Sequence, residues 1–378
     1  MSQERVLLIG YRSGVVKALR HFGVPFALWT QKPVTLKEAP LFDLLHDIPD
    51  SRKEIEAVLE NFKTSGPYTH ILAGTEGAVY AASIARRFFD ARKSRHSTVI
   101  KCHDKLFMKT HLKRHGIPMT EFMRFKEELP PGQVLDKLGV PVVVKARKLS
   151  GSRGITYAET EQAVATSGDR SHILEKFVNA PEASIESFVN GGKILFTNTT
   201  QYLKKGHINL VPSHLPSNQI EEILRLNTQV IEALKIQWGI THLEVYLSDS
   251  GALFGEIALR PPGGYIMELI TKAYGFNAWE AFVAVELDRP FSFNSQVKQF
   301  AAAHILHPGE GVVRSVSRFE KAASNPFTYK NRIKVKAGDS VAARAGVGED
   351  IGYLLYAATD PQALRGALVT ENTLVDLD

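Results

Sequence analysis

Cysteine is nearly missing: Cys102 is the sole one in a chain of 378 residues. A lone cysteine excludes an internal disulfide framework and any zinc site built from several cysteines, and it fits a reducing compartment. Long apolar runs are missing too. No stretch approaches the length of a membrane span, and the opening MSQERVLLIG has too short an apolar run for a secretory signal. These absences point to a cytoplasmic protein. Two nucleotide fingerprints are also lacking. Gly10 and Gly14 do not have GxGxxG spacing and no acidic residue closes the second strand, which argues against a nicotinamide-dependent dehydrogenase. No Gly-Lys-Ser/Thr opens a helix, so there is no Walker A loop. The formal net charge, +6, is modest for this length. Arg86, Arg87, Arg92, Lys93 and Arg95 gather after a helical pattern, but no stacking aromatics interleave with them. They read as a solvated helix end, not a nucleic-acid surface. No internal repeat, low-complexity tract or long linker interrupts the chain.

What is present is an ordinary globular composition, 44% apolar and 23% charged, long enough for two or three domains. Residues 5 to 9, RVLLI, form a short buried-strand run, followed by a loop over Tyr11 to Ser13, a helix and a second strand, PFALWT. This is the opening of a doubly wound α/β domain. A third strand, HILA, ends in a Gly-flanked turn carrying Glu76. There Glu76 is either a ligand group at a strand's carboxyl end or an ordinary acid at a helix N-terminus. Further on, Asp104-Lys105 opens a helix, and VPVVVK ends in Lys145 before Ser150-Gly151-Ser152-Arg153-Gly154. Such a loop lets backbone N–H groups approach a phosphate, although a plain hairpin turn explains it equally well. Residues 174 to 178 read as a hinge with Glu182 just beyond; the alternative is an antiparallel meander with solvated glutamates.

The most informative stretch is Thr241 to Gly264, two period-2 runs around Asp249-Ser250-Gly251. With those three residues as the loop, Ser248 pairs with Ala252, Leu247 faces Leu253 and Leu243 faces Ile257. That register sets Glu244 directly opposite Glu256, with Arg260 further along. Opposed carboxylates repel, and a divalent cation such as magnesium removes that cost. Two solvated glutamates on an exposed face are the alternative. After residue 296 the chain turns mainly β, closing with a helix.

Taken in order, Asp104-Lys105, VVVK with its Gly/Ser loop, LEKFV with Glu182, His242-Leu-Glu244 and Glu256-x-x-x-Arg260-Pro-x-Gly-Gly resemble the ATP-grasp superfamily over most of the chain. The resemblance implies an α/β and α+β architecture. A doubly wound N-terminal domain covers 1–100, an ATP-grasp domain 101–295 (small lobe about 120–178, large lobe about 179–295), and a mainly β lid 296–378. It implies an ADP-forming ligase that activates a small carboxylate as an acylphosphate and joins it to an amine. The cofactors implied are ATP and magnesium, with manganese as a substitute. Position by position, Lys105 and Lys145 would hold phosphates, and Ser150, Gly151, Ser152 and Gly154 would close over them. Glu175 and the backbone of Lys176, Phe177 and Val178 would hold adenine, and Glu182 the ribose. Glu244 and Glu256 would bind the metal, with Arg260 and Lys145 catalytic. Glu76, His214, Arg260, Gly263 and Gly264 are the substrate-side positions, although His214 reads equally well as a surface loop residue. Many members carry Asn where this chain has Ala258, which leaves a second metal in question and favours the amino-acid-ligase-like members. The implied partners are small molecules, with no nucleic acid and no membrane, and a homodimer is the family-level expectation. The alternatives are a purine-pathway or biotin-carboxylase-like enzyme using formate or bicarbonate, and a non-catalytic ATP-binding sensor.

Overall fold

The computed structural model describes residues 4–92, 96–151, 153–344, 346, 349–369 and 374–378. Ser152 of the expected phosphate loop, and Lys93 and Arg95 of the basic cluster, lie outside them. Among the described residues no helix is long and apolar enough to cross a membrane.

Val6–Ile9 is wholly buried at the centre of a parallel sheet, as its unbroken apolar run requires. The strand order is Asp43–Leu45, Phe26–Thr30, Val6–Ile9, His70–Ala73. The order reverses between Val6–Ile9 and His70–Ala73, so their carboxyl ends flank the crevice where doubly wound sheets bind ligands. Glycine allows the two ends to meet there: a Cβ on Gly74 would stand 2.0 Å from the Gly10 carbonyl oxygen. The residues that follow, Arg12 and Glu76, are thereby carried to one crevice.

A second sheet is antiparallel, in the order Phe122–Arg124, His172–Lys176, Val142–Ala146, Ile155–Ala158. Val143 pairs with Glu175 and Lys145 with Ile173, which sets Lys145 diagonally against Glu175 on one face. The third sheet has eight antiparallel strands. Its order is Gly251–Ala258, Gly239–Ser248, Glu182–Asn190, Lys193–Lys204, Ile208–Val211, Phe300–Leu306, Gly352–Ala358, Thr328–Ile333. Strands from before and after residue 296 therefore bond directly, Asn209 pairing with Ala303.

The hairpin differs from expectation at its tip. Its loop is Asp249-Ser250, so Ser248 pairs with Gly251 and Leu247 with Ala252. Leu243 nevertheless faces Ile257, and Glu244 faces Glu256. A β-bulge leaves Gly255 unpaired and absorbs the one-residue slip. Only glycine fits there, since a Cβ would stand 2.9 Å from the Glu244 carbonyl oxygen.

The basic cluster is also corrected. Arg87 is exposed, but Arg86 is buried and donates twice to Ile71 O, at 3.1 and 2.8 Å, with Glu286 3.5 Å away. Arg92 stacks on Trp238 and donates to the carbonyls of Val285 and Glu286. Orphan carbonyls at the end of the helix Ala278–Glu286 attract the Arg92 guanidinium, and the Glu286 side chain attracts that of Arg86, so both tie the parallel sheet to the rest of the molecule.

Candidate functional site

A cavity of about 660 Å³ opens where the three sheets meet. Of the expected residues, Lys105, Lys145, Ser150, Gly151, Glu182, Glu244, Glu256, Glu76, Arg260, Gly263 and Gly264 line it. Gly154, Glu175, Lys176, Phe177, Val178 and His214 do not line it.

The lysines are fixed from behind. Asp104 caps the helix Lys105–Lys113, accepting from the N–H groups of Leu106 and Phe107, and Arg147 pins its carboxylate at 2.7 Å. Lys105 in the first turn reaches the Leu149 carbonyl at 2.5 Å and Glu256 at 3.0 Å. One turn on, Lys109 is 1% exposed and pairs with Glu175 at 3.0 Å, while Lys145 donates to the other Glu175 oxygen at 2.8 Å. Burial opposes ionisation of Glu175, but Lys109 and Lys145 outweigh it and hold the carboxyl at about 2. Burial likewise works against the Lys145 charge, and Glu175 more than restores it, so the amine titrates above its ordinary range. Lys109 escaped the sequence reading. Its one signal is the i,i+4 spacing from Lys105, which exposed helix faces show as often.

Beyond Lys176 the chain runs out of the sheet. The Lys176 N–H donates to Glu121 O and its carbonyl accepts from Thr120 Oγ1, both at 2.9 Å, while Phe177 is exposed. Glu182 meets Lys205 at 2.6 Å, and burial raises its pKa. Gly154, with φ +63, packs against Leu149 and Ala146 beneath the loop that Ser150 and Gly151 present to the cavity.

On the hairpin, Glu244 and Glu256 share one face, their side chains 37% and 31% exposed. His242 stands 3.4 Å from Glu244 and 2.9 Å from Glu186, with which it pairs directly across the strands. Burial favours neutral His242, but the hydrogen bonds with Glu186 and Glu244 raise it to about 9. Partial desolvation at the cavity wall opposes the Glu244 charge, but His242 outweighs it and holds the carboxyl at about 2. Glu186 is wholly buried and also accepts from Ser184, Asn198 and Thr200. It is no solvated meander glutamate, and only its cross-strand neighbours show that. Two carboxylates are too few to hold a divalent ion alone, and Ala258 next on that face offers no donor. Among the described residues no three His, Cys, Asp or Glu side chains gather as a metal cage. Hard oxygen donors in this number suit an ion that shares its coordination with phosphates and water.

Arg260 donates to Glu76 at 2.8 Å across a gap of 184 residues. Burial opposes the Glu76 charge, but His103 and Arg260 overcome it and hold the carboxyl at about 2. Arg12 enters the same wall from the crevice of the parallel sheet. His214 is elsewhere, exposed, its ring edge-on to Phe300.

Comparison with known proteins shows the family. The family model for the ATP-grasp domain matches residues 110–267. The L-arginine-specific L-amino acid ligase of Bacillus subtilis is 30% identical over 335 residues, 83% of this chain and 80% of that protein. The crystal structure of the L-amino acid ligase from Bacillus licheniformis superposes with a TM-score of 0.80 at 15% identity, covering 96% of this chain and 95% of the other. Carboxyaminoimidazole ribonucleotide synthase from Aspergillus clavatus, solved in complex with ATP, gives 0.78 at 17% identity over 98% of both chains. With a relative 30% identical to it over four fifths of that protein's length, the chain belongs to the ATP-grasp family, as an ADP-forming ligase.

Proposed function

We propose that this enzyme joins two amino acids, activating the carboxylate of one and coupling it to the amine of the other. The observation that carries the reading is the cavity wall, where Lys105, Lys145, Glu244, Glu256 and Arg260 face one space. The substrate class follows from likeness to the L-amino acid ligase of Bacillus subtilis, so L-arginine heads the acyl donors to be tried. ATP would lie with its phosphates on Lys105 and Lys145, Ser150 and Gly151 above them, Glu182 toward the ribose, and the backbone of Phe177 and Val178 toward the base. Magnesium held by Glu244 and Glu256 would supply charge neutralisation to the phosphates. A carboxylate oxygen attacks the γ-phosphorus and the bond to ADP breaks, giving an acylphosphate. The amine nitrogen then attacks the carbonyl carbon, phosphate departs with the electron pair, and the amine proton is released. Arg260, kept in place by Glu76, stabilises the negative charge on the acyl and phosphate oxygens. Exclusion of water by the loop protects the acylphosphate.

The test is release of ADP and phosphate with ATP, magnesium and pools of amino acids, with mass spectrometry of the products. Expected is release that needs both a carboxylate and an amine, and a product lighter by one water than its two parts. ATP turnover indifferent to every amino acid would sink the proposal.

A further inference from the structure

Among the described residues seven lysine and arginine side chains line the cavity: Arg12, Lys32, Lys105, Lys145, Arg153, Lys205 and Arg260. Four are matched by carboxylates, Lys105 by Glu256, Lys145 by Glu175, Lys205 by Glu182 and Arg260 by Glu76, all within 3.0 Å. Lys32 and Arg153 stand on the exposed rim, where water serves them. Arg12 differs from both groups. It is half-buried, its Nε donates to the Gly74 carbonyl at 3.1 Å, and among the described residues no carboxylate lies within 4.0 Å of its guanidinium. Burial and then the neighbouring Arg260 charge depress its pKa, outweighing the Glu268 carboxylate, which makes no ion pair with it, while Glu76 is taken up by Arg260. A half-buried cation in that position has lost hydration without gaining an ion-pair partner, and an anion entering the cavity supplies one.

The identity of that anion follows from the chemistry of the site, and the argument rests on the amino-acid ligase reading above. The phosphates are served by Lys105 and Lys145, which come from the small-sheet side, whereas Arg12 comes from the parallel sheet on the Arg260 side. The acyl donor's carboxylate becomes the acylphosphate that Arg260 faces. What remains is the carboxylate of the amine-bearing substrate. An α-amino acid carries it one carbon from the attacking nitrogen, so its anchor must stand beside the acyl-binding arginine and be distinct from it. We infer that Arg12 anchors the free carboxylate of the nucleophilic amino acid, making the enzyme select α-amino acids over other amines. The planar fork of arginine suits a bidentate carboxylate.

The test uses the full chain with ATP and magnesium. Hydroxylamine traps the acylphosphate from each proteinogenic amino acid as a hydroxamate and so finds the best acyl donor. With that donor, the amino acid that condenses fastest is compared with its own carboxamide as nucleophile. The native enzyme should favour the acid in kcat/KM by about 10- to 100-fold, the range of one hydrogen bond to a charged group. Arg12→Met should bring that ratio close to one, through KM for the acid, and Arg12→Lys should recover part of it. An equal loss for acid and amide, or a ratio that stays at the native value, would overturn the inference. So would a native enzyme that makes hydroxamate yet shows no preference for the acid, and in that case the ligase reading survives. A native enzyme that makes no hydroxamate overturns the ligase reading and this inference with it.

Discussion

Two glutamates meet lysines at the same cavity, and their surroundings give them opposite duties. Glu175, behind the wall, is 2% exposed and has an ammonium on each oxygen, Lys109 at 3.0 Å and Lys145 at 2.8 Å. Glu256, on the wall, is 31% exposed and meets Lys105 alone at 3.0 Å. The first carboxylate is complete without a ligand, and it fixes where Lys145 stands. The second is open to trading its lysine for an arriving cation, because water already competes for it. Burial, not residue type, separates a positioning carboxylate from a binding one here.

The comparison can be broken most severely at Glu175. Glu175→Gln leaves Lys109 and Lys145 buried with no counter-charge, and should cost about 3–5 kcal/mol of stability, read by denaturant unfolding. Its pH signature has a definite sign. The carboxyl is depressed from an ordinary 4.5 to about 2 in the folded protein, so its stabilisation is full above pH 4.5 and is lost as pH falls toward 2. Unfolding free energy followed between pH 6 and 2 should fall in the native protein and fall less steeply in Glu175→Gln, where Glu76 and Glu244 still contribute. An unaltered slope would mean that the lysines find other partners.

A smaller effect, of another kind, is expected at Glu256. Glu256→Gln should lower amino-acid-dependent ADP release by about 100-fold, the cost of removing one preorganised electrostatic group. Its stability should move by less than about 1 kcal/mol, because the pair it breaks is partly hydrated. Full turnover by this variant would remove Glu256 from the chemistry. The least effect belongs to an outer pair of the same types, Lys113 and Glu121 at 3.2 Å, where Glu121 is 51% exposed. Glu121→Gln should change stability by less than about 1 kcal/mol and leave turnover at the native rate. A loss there as large as at Glu175 would refute burial as the deciding variable.

Much of this was legible beforehand, and the gaps have physical causes. Val6–Ile9, the crossover helices and the carboxylate pair at Glu244 and Glu256 follow from apolar periodicity alone. The tip of the hairpin does not, because a bulge lets two registers coexist, one on each side of Gly255, and periodicity assumes one. Glu186, Lys109 and Arg86 look solvent-facing along the chain, since charge usually means exposure. What hides them is partners contributed by segments remote in sequence, such as Ile71 and Glu286 for Arg86. Arg12 and Glu76 could be located at strand ends, but their unequal charge balance appears only once Arg260 is placed between the sheets.

The seam at Asn209 and Ala303 bears on how such a chain can be divided or inherited. Read along the gene, the region after residue 296 looks like an appendage that could be trimmed, fused or exchanged with a cousin's. Cutting it away would strip the Ile208–Val211 edge of its neighbour and bare a row of hydrogen-bonding groups, the template from which strands of separate molecules aggregate. Recombination that respected gene segments but ignored this seam would expose that edge, because the last strands and the hairpin of Glu244 and Glu256 belong to one sheet.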